Sequence, residues 1–363
     1  MSEILMVAVA ALLVSTVISA AAVPLASSLA TRFGIVDRPN ARKVHTVPTP
    51  MLGGLAVLLG YLVAALGAYT WAMGAHWEKF RPFQGILLGS LFIFLIGVYD
   101  DVRGVSPRGK LVGQLLAALL LIGFEIRLSL FLQQNFLTTL ITILWIVGII
   151  NSFNLLDNMN GLSAGVGTIA AVTFAWIAYN QEDFLVLIIA ASLAGALLGF
   201  LPYNFPKGRI FLGDGGSLLI GFVLAAVSVQ GIYLAKTKLT HLPVITPVLV
   251  LGVPLFDTFS VMAIRFARGL PIFKADKNHF SHRLVDLGMT QKQAVLLIYL
   301  VSIAVSIPAV LLSHVTLNDA LLLLLQEAIL FFIIAALMRY GMVRAESRSL
   351  GEPEPNHSGD RSR

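Results

Sequence analysis

Residues 91–101 read Leu-Phe-Ile-Phe-Leu-Ile-Gly-Val-Tyr-Asp-Asp, an apolar run that ends on two adjacent carboxylates. The same arrangement recurs along the chain, where long apolar stretches alternate with short polar segments. Hydrophobic residues make up 57% of the 363 residues, charged residues only 12%, and the mean hydropathy is +0.87. Soluble domains carry roughly 25% charged residues. The sequence therefore predicts an all-α, polytopic integral membrane bundle.

A helix needs about 20 apolar residues to cross the hydrocarbon core of a bilayer. Counting such stretches predicts ten or eleven transmembrane helices, with about eleven preferred. The expected spans lie near residues 4–27, 51–72, 85–99, 111–131, 136–150, 162–180, 184–201, 216–234, 243–264, 293–313 and 319–338. The span from residue 111 is the weakest, because Glu125 and Arg127 interrupt it. Without an internal repeat or an added soluble domain, residues 1–344 are expected to form one bundle, and residues 345–363 a disordered tail.

The distribution of basic residues predicts the orientation. Of the 25 Lys and Arg residues, 20 fall in one set of alternate loops together with the C-terminal tail, and 5 fall in the other set. Cytoplasmic loops carry the excess of basic residues. The first span has no basic residue before it, so we interpret it as a retained helix with its N-terminus outside rather than a signal peptide. We therefore expect a multi-pass protein of the plasma (inner) membrane, with its polar motifs and C-terminus in the cytoplasm.

Composition also excludes several classes of site and partner. The chain contains no cysteine, which rules out a disulfide framework and a zinc site held by thiolates. Its net charge of +6 reflects topology, since no basic stripe with interleaved aromatic residues is present. We therefore expect the lipid bilayer, and no nucleic acid, as a partner.

Two acidic motifs lie on the predicted cytoplasmic side. Asp100 and Asp101 end an apolar run, and two ionised carboxylates about 4 Å apart repel by roughly 4 kcal/mol at an effective dielectric of 20. A divalent cation or a shared proton would relieve that repulsion. The alternative is that the pair simply ends a helix at a wet interface beside Arg103. Asp214 lies between glycines before another apolar run, where a ligand can approach closely, although an ordinary helix N-cap gives the same pattern.

The segment 151–161 places amide side chains in an apolar stretch. Asn151, Asn154 and Asp157 recur at i, i+3 and i+6, so they can line one face at the end of a helix. Carboxamides recognise neutral polar ligands such as a base or a sugar. A solvated loop is the alternative.

The segment 276–283 combines an acid, two imidazoles and a guanidinium. His279 and His282, at i and i+3, could share one helical face, and with Lys277 and Arg283 they suit phosphate groups. A patch that binds lipid headgroups is the alternative. The chain has no G-x-x-x-x-G-K-[ST] motif, so no recognisable P-loop is present.

These motifs, in this order, resemble the polyprenyl-phosphate N-acetylhexosamine-1-phosphate transferase family, whose best-known branches are WecA/TagO-like and MraY-like. The resemblance covers residues 33–285. The matching stretches are Asp37-Arg38-Pro39-Asn40-Ala41-Arg42-Lys43-Val44-His45, Pro48-Thr49-Pro50, Gly53-Gly54, Asp100-Asp101, Lys110, Asn151-x-x-Asn154-x-x-Asp157, Phe211-Leu212-Gly213-Asp214-x-Gly216-Ser217 and the region of His279.

The resemblance implies an enzyme that moves N-acetylhexosamine-1-phosphate, most simply GlcNAc-1-phosphate, from a UDP-sugar to undecaprenyl or another polyprenyl phosphate. UMP is the second product, and the reaction would be the first membrane step of cell-envelope glycan synthesis. The implied cofactor is Mg²⁺, with Mn²⁺ as a substitute, and a homodimer is compatible with the family. We favour direct attack by the lipid phosphate over a covalent intermediate, because it needs no second displacement.

The resemblance also implies a role for each candidate residue. Asp101 and Asp214 would hold or orient the metal, and Asp100 would deprotonate or align the lipid phosphate. The expected contacts to the diphosphate or to UMP are His279, His282 and Arg283. The expected residues of the anion site are Lys43, His45 and Lys110. The expected contacts to the nucleotide and its sugar are Asn151, Asn154, Asp157 and Asn160.

Two departures from the family pattern bear on the branch and on specificity. Asn160 stands where the family often has an acid, and Ser281 stands where adjacent histidines are common. The missing histidine triplet favours the WecA/TagO-like branch over an MraY-like phospho-MurNAc-pentapeptide transferase. A transporter or flippase would bind cations midway through the bilayer and show inverted repeats, which we do not find. A non-catalytic lipid-binding scaffold would not require closely spaced carboxylates.

Overall fold

A computed structural model describes residues 3–38, 47–73, 81–128, 136–232, 245–270 and 279–349. The described residues form helices joined by short loops, and their only sheet is a two-stranded antiparallel pair, β1 (Val36–Asp37) and β2 (Thr49–Pro50). The helices are α1 (Glu3–Arg32), α2 (Gly53–Met73), α3 (Arg81–Arg103), α4 (Pro107–Gly123), α5 (Phe136–Leu156), α6 (Leu162–Asn180), α7 (Phe184–Asn204), α8 (Gly213–Gln230), α9 (Thr246–Val250), α10 (Gly252–Ala267), α11 (Phe280–Asp286), α12 (Gln291–Leu311) and α13 (Leu317–Ser349). The prediction of an all-α bundle is confirmed.

Within the described ranges, nine helices are long and apolar enough to cross a membrane, which confirms a polytopic membrane protein. The two other expected spans are shorter or interrupted. The span expected at 111–131 is α4, which has 17 residues and ends at Gly123, before the charged residues that weakened the prediction. The span expected at 243–264 is broken at Leu251 into α9 and α10. Pro254 explains the break, because it has no N–H to donate to the carbonyl four residues earlier.

Helix α8 is the centre of the bundle. Its most apolar stretch of 18 residues is 89% buried, and the helix packs against α3, α5 and α2. Gly97 of α3 permits a close approach to α8, since a Cβ there would lie 2.5 Å from the backbone O of Asp214 and from Gly215 Cα. By contrast, the corresponding apolar stretches of α1 and α13 are only 22% and 17% buried, as expected for helices that face lipid.

The packing brings the polar segments to one end of the bundle. The C-terminal ends of α3 and α5 meet the N-terminal ends of α4 and α8, and side chains from all four helices are in contact there. At the other extreme of the chain, α13 continues to Ser349, so helix occupies the first five positions of the tail expected to begin at residue 345. Residues 350–363 lie outside the described residues.

Candidate active site

A network of ion pairs joins α3, α4 and α8. The Lys110 ammonium at the start of α4 forms an ion pair with Asp100 Oδ2 and lies 2.8 Å from Asp214 Oδ2. Asp214 Oδ1 accepts a hydrogen bond of 2.7 Å from Asn154 Nδ2 of α5. Asp100 and Lys110 are largely buried, where charges interact more strongly than in water. One cation therefore bridges two carboxylates that come from distant parts of the sequence.

Asp101 caps α8 from a neighbouring helix. Its two carboxylate oxygens accept hydrogen bonds from the backbone N–H of Asp214 at 2.9 Å and of Gly215 at 3.2 Å. Helix α8 has no side-chain cap of its own at Leu212, so Asp101 satisfies N–H groups that would otherwise lack partners. A carboxylate is also favoured at the positive end of a helix dipole. The predicted metal ligand Asp101 thus holds the start of α8 and fixes the backbone of Asp214.

Gly213 makes this cap possible. Its φ is +75°, and a Cβ at this position would lie 2.7 Å from Asp101 Oδ2 and 2.5 Å from the carbonyl oxygen of Met51. A side chain would be strained by the backbone angle and would collide with the capping carboxylate. The glycine before Asp214 therefore allows α3 to approach the start of α8 closely.

The amide residues of α5 take different positions. Asn154 donates to Asp214 and, at 2.9 Å, to Ser217 Oγ, so it belongs to the acidic network. Asn151 forms a reciprocal amide pair with Gln114 of α4, at 2.7 and 3.1 Å. Asn151 consequently joins α5 to α4, and in this structure its side-chain amide is already bonded to protein.

Asp157 follows the last residue of α5 and adds a further carboxylate. Burial raises its pKa well above the ordinary value, and the negative charges of Asp214 and Asp101 raise the pKa further. Among the described residues, Lys110 is the only cation with an ion pair to these acids. The carboxyl groups of the cluster therefore outnumber its cations, and a bound cation would stabilise their ionised forms.

Three neighbours hold the turn between α5 and α6. The N–H of Gly161 donates to Asn204 Oδ1 at 2.6 Å, and the Tyr299 hydroxyl donates to the Gly161 carbonyl at 2.5 Å. Ser281 Oγ donates to Asn158 Oδ1 at 2.5 Å, which brings α11 alongside this turn. Asn160, expected to face the sugar, donates to the Pro206 carbonyl at 3.3 Å. The turn that carries Asp157 and Asn160 is thus fixed by three other helices.

The histidine segment lies beside α10. His279 is buried at the N-cap of α11, with extended backbone angles of −66° and 152°, and its Nδ1 lies 2.8 Å from Asp257 Oδ2. His279 therefore lies immediately before α11, as its N-cap, and His282 lies in the first turn of the helix. Arg283 is buried and donates to Ser260 Oγ at 2.5 Å. Lys43 and His45 lie outside the described residues.

Sequence reasoning missed Asp257, Asn204 and Tyr299. Each is a single polar residue within or next to an apolar run, and no spacing links it to its partner. The one usable signal was Asp257, because an acid inside a predicted span is costly unless it has a partner.

The residues present fit a magnesium ion held through few protein ligands. In the part of the chain that the structure describes, no three His, Asp or Glu side chains are grouped as a metal site. Mg²⁺ does not require three protein ligands, since it binds through one or two carboxylates together with phosphate oxygens and water. Asp214 meets this requirement, because its carboxylate is a third exposed and each oxygen keeps acceptor capacity beyond its contact to Lys110 or Asn154.

Comparison with known proteins places the chain in a family. The model of glycosyl transferase family 4 matches residues 83–232, which include Asp100, Lys110 and Asp214. A probable undecaprenyl-phosphate N-acetylglucosaminyl 1-phosphate transferase of Bacillus subtilis is 33% identical over 320 residues, covering 86% of this chain and 87% of the relative. The decaprenyl-phosphate N-acetylglucosaminephosphotransferase of Mycobacterium tuberculosis is 35% identical over 303 residues, with 75% and 74% coverage.

A third relative comes from the other branch. The phospho-N-acetylmuramoyl-pentapeptide-transferase of Enterococcus faecalis is 37% identical over 217 residues, covering 54% of this chain and 66% of the relative. The two N-acetylglucosamine-phosphate transferases are thus matched over more of their length. By sequence, this chain belongs to glycosyl transferase family 4 and to the polyprenyl-phosphate N-acetylhexosamine-1-phosphate transferases that its motifs resemble.

Proposed function

We propose that this membrane enzyme transfers N-acetylhexosamine-1-phosphate, with GlcNAc-1-phosphate preferred, from a UDP-linked donor to polyprenyl phosphate and releases UMP. The observation that carries the proposal is the contact of Lys110 with both Asp100 and Asp214 at one end of an apolar bundle. Such a site can receive two phosphorylated substrates, one from water and one from the bilayer. The names of the B. subtilis and M. tuberculosis relatives support the acceptor and the sugar.

Phosphoryl transfer requires mainly positioning and neutralisation of charge. Asp100 is placed to align or deprotonate the lipid phosphate, and Lys110 to neutralise the phosphates as they meet. Asp214 would hold Mg²⁺, or Mn²⁺ in its place, and Asp101 would keep Asp214 in position through the cap on α8. The bound ion would supply further neutralisation of the diphosphate. We favour direct attack of the lipid phosphate on the β-phosphorus of the donor, with UMP as the leaving group.

The donor would lie between the α5–α6 turn and α11. Asn154, Asp157 and Asn160 are assigned to the nucleotide sugar, and His279, His282 and Arg283 to the diphosphate. Asn151 is assigned a supporting role instead, because Gln114 already occupies its amide. The excess of basic residues supports a site on the cytoplasmic face, with the N-terminus outside. We assign the protein to the plasma membrane and its reaction to the first membrane step of a cell-envelope glycan.

The pentapeptide-linked donor is the second candidate, because the E. faecalis relative is 37% identical over the part it shares. A transporter or flippase is less well supported. Its charged groups are expected midway through the bilayer, whereas Asp100, Lys110 and Asp214 lie at helix ends.

A donor panel tests the proposal. Purified protein in detergent, with Mg²⁺ and polyprenyl phosphate, is offered UDP-GlcNAc, UDP-GalNAc and UDP-MurNAc-pentapeptide, and UMP release is measured. We expect UMP release with UDP-GlcNAc that depends on the lipid phosphate and is lost in Asp214→Asn. Preference for the pentapeptide donor would assign the protein to the other branch. Absence of lipid-dependent UMP release with all three donors would contradict the proposed function.

A further inference from the structure

A buried carboxylate that no motif contained lies on α10, the helix that follows the break at Leu251. Asp257 is 1% exposed, and both of its oxygens are used by the histidine segment. Oδ1 accepts from the backbone N–H of Phe280 at 2.5 Å, and Oδ2 lies 2.8 Å from Nδ1 of His279. A buried charge is costly unless it is paired and hydrogen-bonded, so these two contacts account for the acid at this position.

Capping α11 alone would not require an aspartate. One acceptor is enough for the Phe280 N–H, and a neutral asparagine or serine provides it. The second oxygen of Asp257 adds a specific constraint on the imidazole of His279. An ionised carboxylate only accepts hydrogen bonds, so Nδ1 must carry the proton, and Nε2 on the opposite side of the ring is left for another partner.

The surroundings make this arrangement rigid. The rings of Phe256 and Phe280, the neighbours of Asp257 and His279, pack edge to face with centroids 6.0 Å apart. One turn along α10, Ser260 Oγ accepts from Arg283 at 2.5 Å. Nε2 of His279 has no hydrogen-bond partner among the residues that the structure describes. The same face of α10 therefore holds two of the three side chains assigned to the diphosphate.

We propose that Asp257 is a positioning residue that fixes His279 with Nδ1 protonated and Nε2 directed to the phosphates of the donor. The inference rests on the proposed function, since it takes the donor to be a nucleotide diphosphate sugar. Asp257 acts through His279 and does not itself touch the substrate. Residues that orient a metal-bound imidazole in this way typically account for about 10- to 100-fold in activity, and we expect the same range for an imidazole that contacts phosphate.

Asp257→Asn separates positioning from capping. Asparagine keeps an oxygen for the Phe280 N–H, but its amide nitrogen is a donor and opposes a protonated Nδ1, which moves the imidazole proton to Nε2. We expect kcat for UMP release to fall about 10- to 100-fold, with a smaller change in the KM of the donor. In a His279→Ala background the same change should alter kcat by less than about twofold, because Asp257 acts on the substrate only through His279.

Thr258→Val is the matched control. Thr258 is the next residue on α10, but its hydroxyl donates at 3.0 Å to Ser152 of α5 and not to the histidine segment. It should keep kcat within about twofold of the wild type. An Asp257→Asn enzyme with unchanged kcat would overturn the inference. So would full activity of His279→Ala, or equal losses for Asp257→Asn with and without His279.

A spectroscopic measurement does not depend on turnover. The wild-type protein is labelled with ¹⁵N-histidine, and the signals of His279 are assigned by their absence from His279→Asn. We expect Nδ1 of His279 to carry a proton. A ring protonated only at Nε2 would overturn the inference, even if the donor panel supports the proposed function. Conversely, a panel without transfer together with a protonated Nδ1 would count against the proposed function alone.

Discussion

Replacing Lys110 by Met tests the arrangement of charge in the site. The Lys110 ammonium forms ion pairs with Asp100 and Asp214, and the side chains of the three residues are 19%, 9% and 33% exposed. Methionine keeps most of the aliphatic stem and removes the positive charge. The carboxylates of Asp100 and Asp214 then face each other, and the phosphates of both substrates, without that cation.

The size of the effect follows from the burial of the three groups. Removing one preorganised group that stabilises charge in the transition state costs about 3–4 kcal/mol of activation free energy, because the developing charge is left uncompensated. Asp214 is a third exposed, so water offsets part of this cost and about 2–3 kcal/mol remains. Since 1.36 kcal/mol corresponds to a factor of ten, kcat/KM is expected to fall about 30- to 150-fold.

The assay is lipid-dependent UMP release at saturating Mg²⁺, with kcat/KM determined for the donor. Arg108→Met is the matched control, because Arg108 is exposed on the first turn of the same helix and should keep kcat/KM within about twofold. Both proteins must elute as the wild type does from a sizing column. A folded Lys110→Met enzyme that retains more than about a third of wild-type efficiency would refute the central role given to this ammonium.

Further experiments test the metal, the donor contact of Asn160, the buried acid Asp157 and the topology. Asp214→Asn and chelation of divalent ions should each remove most activity while expression stays intact, because the phosphate charge loses its counterion; full turnover in EDTA would remove Mg²⁺ from the account. Asn160→Asp cannot donate to the Pro206 carbonyl, and it should change the ratio of kcat/KM between UDP-GlcNAc and UDP-GalNAc by roughly tenfold, about 1.4 kcal/mol; an unchanged ratio would place Asn160 away from the donor. The raised pKa of Asp157 means that the folded state favours the protonated acid, so the stability of the fold falls as pH rises through that pKa. Without divalent ions, Asp157→Asn should therefore raise the melting temperature at neutral pH and lose this advantage in acid. No difference in melting temperature at any pH would contradict the pKa shift. In this cysteine-free chain, Asp286→Cys should resist an impermeant thiol reagent added outside intact cells and Gln181→Cys should react, and the reverse pattern would invert the topology.

The sequence was informative about which segments meet, because alternate loops of a membrane bundle lie on the same side. That reasoning placed Asp100, Lys110 and Asp214 on one face although more than 100 residues separate Lys110 from Asp214. It could not assign the two carboxylates of α3 separately. Successive residues on a helix point in directions about 100° apart, so the rotation of α3 decides which acid meets Lys110 and which caps α8. Gly97 packs against the start of α8, a tertiary contact that no local pattern reveals.

Residues that act through tertiary contacts were harder to predict. Asp257 lies 22 residues before its partner His279, and Tyr299 lies 138 residues after the Gly161 carbonyl that it contacts. The break between α9 and α10 was readable in principle, because Pro254 removes a helical hydrogen bond inside a predicted span. Hydropathy alone merged the two helices into one.

The most direct test of the central claim is to follow the β-phosphate of the donor. UDP-GlcNAc labelled with ³²P at the β-position is incubated with the enzyme and polyprenyl phosphate, and the lipid and aqueous phases are separated. Transfer of a sugar phosphate breaks the bond between the two donor phosphates, so we predict that the label enters the lipid phase and that unlabelled UMP remains in water. Recovery of the label as UDP in the aqueous phase, with sugar on the lipid, would show transfer of the sugar alone and would contradict the account.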